Sequence, residues 1–158
     1  MAGYIKFEGI DGESQDQRHD KWSDLISFDE LMELPHTATG QARSRLTVDH
    51  MRVVKVVDAA STQLLQKLDQ KTPFPSVKIE VTRSYTNGGR KRYLWIELKN
   101  VLIVSYHISG NCDATSGDEI PTEEIAMSFT TFDMSYEQAD QAGNVQGSSN
   151  TVIDLEEK

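Results

Sequence analysis

The sequence predicts a mainly β protein, an antiparallel barrel or sandwich carrying one helix. Three observations lead there. Six or more runs rich in β-branched and aromatic residues are separated by turn signals; only one stretch has a clear helical stripe; and strands and helices do not alternate as in a parallel α/β fold. At 158 residues the chain suits a single domain, residues 1–158. A fold of that size buries about 68–70% of its unfolded surface, enough for a core without staples.

Tyr4 to Gly9 opens with Ile5 and Phe7 on one face and Lys6 and Glu8 on the other, the alternation of a strand. The polar stretch GIDGESQDQRHD follows. From Trp22 to Leu34 two readings compete. Trp22, Ile26, Phe28, Met32 and Leu34 share a period-2 face, whereas Ser27 and Glu30 have the spacing of a helical capping box. Pro35 to Arg45, PHTATGQARSR, has no apolar period and reads as a long loop, the first place to seek a contact surface. Leu46 to Val57 supplies one or two strands, with a shift of face near Met51.

Asp58 to Lys71 is the helix. Ser61 is its expected cap, Leu64, Leu65 and Leu68 form its stripe, and Pro73 and Pro75 close it. Val77 to Tyr85 and Lys91 to Ser109 then flank TNGG, an Asn-Gly hairpin signal for a type I′ turn. In the second run Leu94, Ile96, Leu98, Leu102, Val104, Tyr106 and Ile108 fall on one face, interrupted at Asn100 where a bulge or turn is expected. Gly110 to Thr122 is a loop, Glu124 to Tyr136 a strand, Gln138 to Asn150 a loop, and Thr151 to Leu155 a short final strand.

Composition narrows the function. A net charge of −9 repels phosphate backbones, which disfavours nucleic acid as a partner. No apolar run approaches the roughly 20 residues that span a bilayer, so membrane insertion is not expected. The single cysteine, Cys112, allows no internal disulfide. The start of the chain lacks the blocks of a signal peptide, which implies synthesis in the cytoplasm and, for any export, a route without a cleaved leader.

Metal and catalytic chemistry fare poorly. A calcium loop starting at Asp11 would need Gly sixth and Glu twelfth, where Asp16 and Trp22 stand. His19, His36, His50 and His107 are scattered. Cys112 lies in a polar turn without a cysteine-enzyme signature, and Arg90 to Arg92 reads as solvated charge beside a hairpin. No nucleotide or hydrolase motif occurs, so neither a cofactor nor a catalytic group is expected. A small hydrolase built from distant loops remains a rival. So does a carbohydrate-binding β-sandwich, for which Tyr93 and Trp95 are the close aromatic pair.

IKFEGIDGESQDQRHD resembles the opening of the haemolysin-coregulated (Hcp) proteins, tube subunits of bacterial type VI secretion systems. The family runs its first strand into a Gly-Glu-Ser-Gln-Asp loop, here Gly12, Glu13, Ser14, Gln15 and Asp16. VVKVVDAASTQLLQKL, LWIELKNVLIVSYHISG and IPTEEIAMSFTTFDMSY resemble later family segments in the right order. Family members often carry a Trp-rich strand near LISFDELM, where this chain has Phe28 and Met32. The resemblance tips Leu25 to Met32 towards a strand.

It implies a barrel of two sheets with a flanking helix, forming hexameric rings that stack into a tube. A contractile sheath would surround the tube, a spike would cap it, and effectors could travel in its lumen. The loop bearing Pro35, His36, Thr37, Thr39, Gln41, Arg43 and Arg45 would then reach towards a neighbouring ring or subunit. Export by the secretion machine itself would explain a start without a leader.

Overall fold

In the computed structural model, residues 1–35, 38–40, 45–115 and 117–156 are described. Ten strands and one helix follow in the order β1 (Ala2–Phe7), β2 (Ser23–Asp29), β3 (Met32–Glu33), β4 (Thr47–Val48), β5 (Met51–Val56), α1 (Ser61–Gln70), β6 (Phe74–Tyr85), β7 (Gly89–Ser109), β8 (Thr122–Ser128), β9 (Thr131–Ala139) and β10 (Val145–Asp154). Every pairing is antiparallel.

The 21-residue β7 closes the barrel. It pairs with β6 over Gly89–Val101 and with β8 over Leu102–Ser109, while β6, β1, β2, β5 and β8 follow one another around the circumference. Closure removes the sheet edges that would otherwise invite open-ended pairing. β9 and β10 extend from β7 as a flap, and β3 with β4 forms a separate two-stranded ribbon. Ile5, Phe7, Met51, Val53, Val77, Ile79, Leu98, Ile125 and Met127 fill the barrel, and α1 packs on β7 and sends Leu64 into the same core.

The 22–34 segment takes the strand reading over β2, but Ile26, Phe28 and Leu34 of its apolar face lie outside, while Trp22 and Met32 are half-buried. Ser23 and Leu25 point inwards, whereas Ile26 is 56% exposed and Phe28 37% exposed. Pairing with β1 on one side and β5 on the other fixes that parity, and a bulge between Leu25 and Ser27 locks it.

A second parity change occurs in β7. Asn100 adopts a left-handed φ of 51°, so Ile96 and Leu98 face the core before it, and Val101 and Ile103 after it. The expected face through Leu102, Val104 and Ile108 therefore turns outwards, with Ile108 54% exposed. Opposite Asn100 the expected single strand 124–136 breaks into β8 and β9. The Asn100 amide donates to Thr130 Oγ1 at 3.0 Å, and the Thr130 N–H to Lys99 O at 3.0 Å.

Three local expectations change as well. In the β6–β7 hairpin the positive φ falls on Gly89, at 67°, and not on Asn87 or Gly88, so the turn is longer than type I′. A side chain at Gly88 would meet Ala142 O at 2.7 Å, because the hairpin tip packs on the β9–β10 loop. Ser61 is the first residue of α1 and does not cap it, and Leu65 on the expected stripe is 48% exposed. The final strand starts at Val145, well before Thr151, since β9 offers it a ladder down to Ala139.

Candidate functional site

The opening loop folds back on the barrel wall. Gly12 N–H donates to Lys21 O and Ser14 N–H to Trp22 O, both at 2.8 Å. That approach leaves no room at Gly12, where a Cβ would lie 2.4 Å from Ser23 Oγ and Trp22 O. Ser14 is buried and its Oγ accepts from Asp16 N–H, while Glu13 and Gln15 face solvent.

Asp16 holds the loop's other end. Its Oδ1 lies 2.8 Å from Nδ1 of His19 and also accepts from Arg18 N–H. This hydrogen bond with His19 holds the Asp16 carboxyl below the usual carboxylate range. Nε2 of His19 reaches Glu80 on β6 at 2.7 Å, and the ring, only 3% exposed, stacks on Tyr4 with Trp22 edge-on. Gly12, Ser14 and Asp16 of the signature, together with His19, thus brace the loop against β1 and β6, while Glu13 and Gln15 take no part. The loop's one histidine has both ring nitrogens engaged by carboxylates.

Arg90 to Arg92 extends that brace and is not simply solvated charge. Arg92 bonds Glu80 at 2.9 Å and covers the Trp95 ring at 3.9 Å from its centroid. Lys91 donates to Gly143 O, and Arg18 to Arg90 O. Tyr93 is likewise covered, by Arg83, and meets Tyr136 edge-on. One face of each of these two rings, Tyr93 and Trp95, is thus taken by an arginine.

A buried polar cluster escaped the sequence reading. Lys55 and Glu123 are both 0% exposed, with Nζ 2.5 Å from Oε1. Lys55 also reaches Asp58 at 2.8 Å and Val56 O at 2.9 Å, and Ser23 donates to Asp58 at 2.6 Å. The Ser61 hydroxyl accepts from Asp58 N–H and donates to Glu123, whose other oxygen takes the Tyr106 hydroxyl. Burial first, then Glu123, pushes the Tyr106 phenol up. The cluster ties the start of α1 to β2, β5, β7 and β8. Its signal in the sequence was Lys55 at the same parity as Met51 and Val53, an inward position for a cation.

The 35–45 segment falls in the chain between β3 and β4. Pro35 is half-buried, Thr39 and Arg45 are exposed, and His36, Thr37, Gln41 and Arg43 lie outside the described residues. Beside the ribbon runs an apolar groove of about 500 Å³, between Phe28, Glu30 and Met32 on one side and Leu94, Met134 and Ile153 on the other. Leu31 and Leu34 add further exposed apolar surface. Glu30 was foreseen only as a helical capping residue. Both its carboxylate oxygens are buried without a hydrogen-bond partner among the described residues, and burial, helped by Asp49 and Asp29, raises its pKa to about 7.

Comparison with known proteins is consistent with this architecture. No curated protein sequence matches the chain. A solved structure of a type six secretion system protein is 26% identical, with a TM-score of 0.87 over 99% of this chain and 96% of that one. A type VI secretion system effector from Yersinia pestis is 21% identical (TM-score 0.76, 96% and 98% covered), and the Hcp1 protein of an E. coli EAEC pathovar, as a double tryptophan mutant, is 14% identical (TM-score 0.80, 98% and 97% covered). The family model described as type VI secretion system effector, Hcp, matches residues 4–136, from within β1 to within β9. The chain belongs to the Hcp family of the type VI secretion system.

Proposed function

We propose that this chain is the repeating subunit of the type VI secretion inner tube, closing into six-membered rings that stack inside a contractile sheath behind a spike. The family match over residues 4–136 carries this reading. Surface chemistry supports it. A closed barrel has no need to place Ile26, Phe28, Leu31 and Leu34 outwards, yet here they lie exposed, with Phe28 in the wall of the groove. β10 pairs only with β9 among the described residues, so one strand edge is left for a neighbour.

A head-to-tail contact between two different surfaces of one chain closes into a ring when its rotation permits. Export then needs no membrane-spanning helix, and none of the described helices is long and apolar enough to cross a membrane. Effectors would be carried in the lumen. The loop containing Pro35, Thr39, Arg43 and Arg45 would contact the next ring.

Light scattering on the purified protein, followed by negative-stain imaging of the same sample, tests the reading. Six chain masses with annular particles are expected. A monomer at every concentration would refute it.

A further inference from the structure

We propose that the groove beside Glu30 is the seat of a second copy of this chain, which inserts a basic side chain onto the Glu30 carboxylate. The inference rests on the ring-forming reading above and assigns one of its contacts.

Glu30 combines three properties that no single-chain role explains. Its oxygens are shielded from water, they have no donor among the described residues, and the charges acting on it are the like charges of Asp29 and Asp49. Buried carboxylates are ordinarily paired, since an unpaired one loses hydration without compensation. Among the described residues, the groove does not supply the pair. Their part of its lining holds two acids, Asp29 and Glu30, no base, and otherwise mostly apolar side chains such as Met32, Leu94 and Met134.

An occupant must therefore be apolar in body and cationic at its tip, which describes a lysine or arginine lying along its own hydrocarbon stem. A second copy suits the position better than a free peptide. Thr151 and Ile153 of β10 line the groove, and the outer edge of β10, at the end of the eight-stranded sheet, is unpaired among the described residues. One neighbour can thus meet the strand edge and the carboxylate together.

The sign of the pH response separates this from a merely apolar contact. A cation on Glu30 lowers its pKa from about 7, so ring closure releases a proton and tightens as pH rises from 6 to 8. Asp49 and Asp29 are the charged groups that act on Glu30 besides its burial. Ring mass is measured by light scattering across pH 6–8 for the parent chain, Glu30→Gln and Glu30→Lys, with circular dichroism on each to establish folding.

Expected are tighter rings at pH 8 for the parent chain and a flat profile for Glu30→Gln. At pH 8 that variant should dissociate at about tenfold higher concentration, and Glu30→Lys should form no rings. Parent and Glu30→Gln rings of equal strength at all pH values would overturn the proposal. So would parent rings that tighten in acid, because the neighbour would then close on the neutral acid. A parent chain that forms no rings at any pH removes the ring reading itself, and this contact with it.

Discussion

Nε2 of His19 lies 2.7 Å from Glu80, although 61 residues separate them in the chain. That contact makes the family-signature loop part of the barrel wall. His19→Ala removes a ring stacked on Tyr4 and leaves Asp16 and Glu80 facing one another across the gap. The expected loss is about 2–4 kcal/mol of unfolding free energy in urea. The same brace gives an acid limit. Asp16 is held below its ordinary value of 3.8, so its contribution is present above that pH and disappears as pH falls through the lower folded value. Acid titration by fluorescence of Trp22 should find His19→Ala less pH-sensitive below 4 than the parent chain.

The Lys55–Glu123 pair predicts strong non-additivity. Lys55→Met leaves Glu123 and Asp58 buried with one cation fewer, a loss of about 3–5 kcal/mol. Glu123→Gln strands Lys55 less severely, because Asp58 and Val56 O still accept from it. Combining the two changes should cost well under the sum, since the second removes a charge that the first had already orphaned. A double-mutant cycle in urea checks this, and simple additivity would show that the two charges do not act as a pair.

Much of the barrel was legible because β1, β5 and β6 alternate and the connections after β1 and β6 carry glycine. What escaped depended on distant partners. Gly147, Ser148, Ser149 and Asn150 have little strand preference, yet they lie in β10 because β9 supplies the ladder. Asn100 was visible as an interruption, but only its left-handed φ reverses which of its neighbours face inwards. The signature loop was recognisable as a pattern, while Glu80, which makes it a brace, lies on another strand. Glu30 looked like a helix cap because capping spacing carries no record of the β1 and β5 neighbours that made a strand of the residues before it.

Gly12 and Gly147 form a matched pair for testing the loop's close approach. A methyl group at Gly12 meets the Trp22 carbonyl at 2.4 Å, and the backbone of either segment must shift. Gly12→Ala should lower stability by about 2 kcal/mol or more. Gly147 has nothing within 4 Å of its would-be Cβ and no left-handed backbone. Gly147→Ala should fall within about 0.5 kcal/mol of the parent chain. Thermal unfolding of both variants decides it, and equal melting temperatures would mean that the loop is not pressed against Trp22.

In the proposed tube, stacking of rings is expected to respond to salt. The chain carries a net charge of −9, so most of a ring's end surfaces repel one another unless basic groups intervene. The 35–45 loop contributes Arg43 and Arg45 to a segment with no acid of its own. If those arginines face an acidic surface on the next ring, raising salt from about 0.05 M to 0.5 M shortens the Debye length from roughly 14 Å to 4 Å and weakens the contact. Tubes measured by electron microscopy should then shorten while the mass of single rings is unchanged. Replacing both arginines by glutamate should abolish stacking at low salt and leave rings intact. Tubes of the same length at both salt concentrations would place the stacking energy in apolar contacts, and the loop's arginines would lose their assigned part in it.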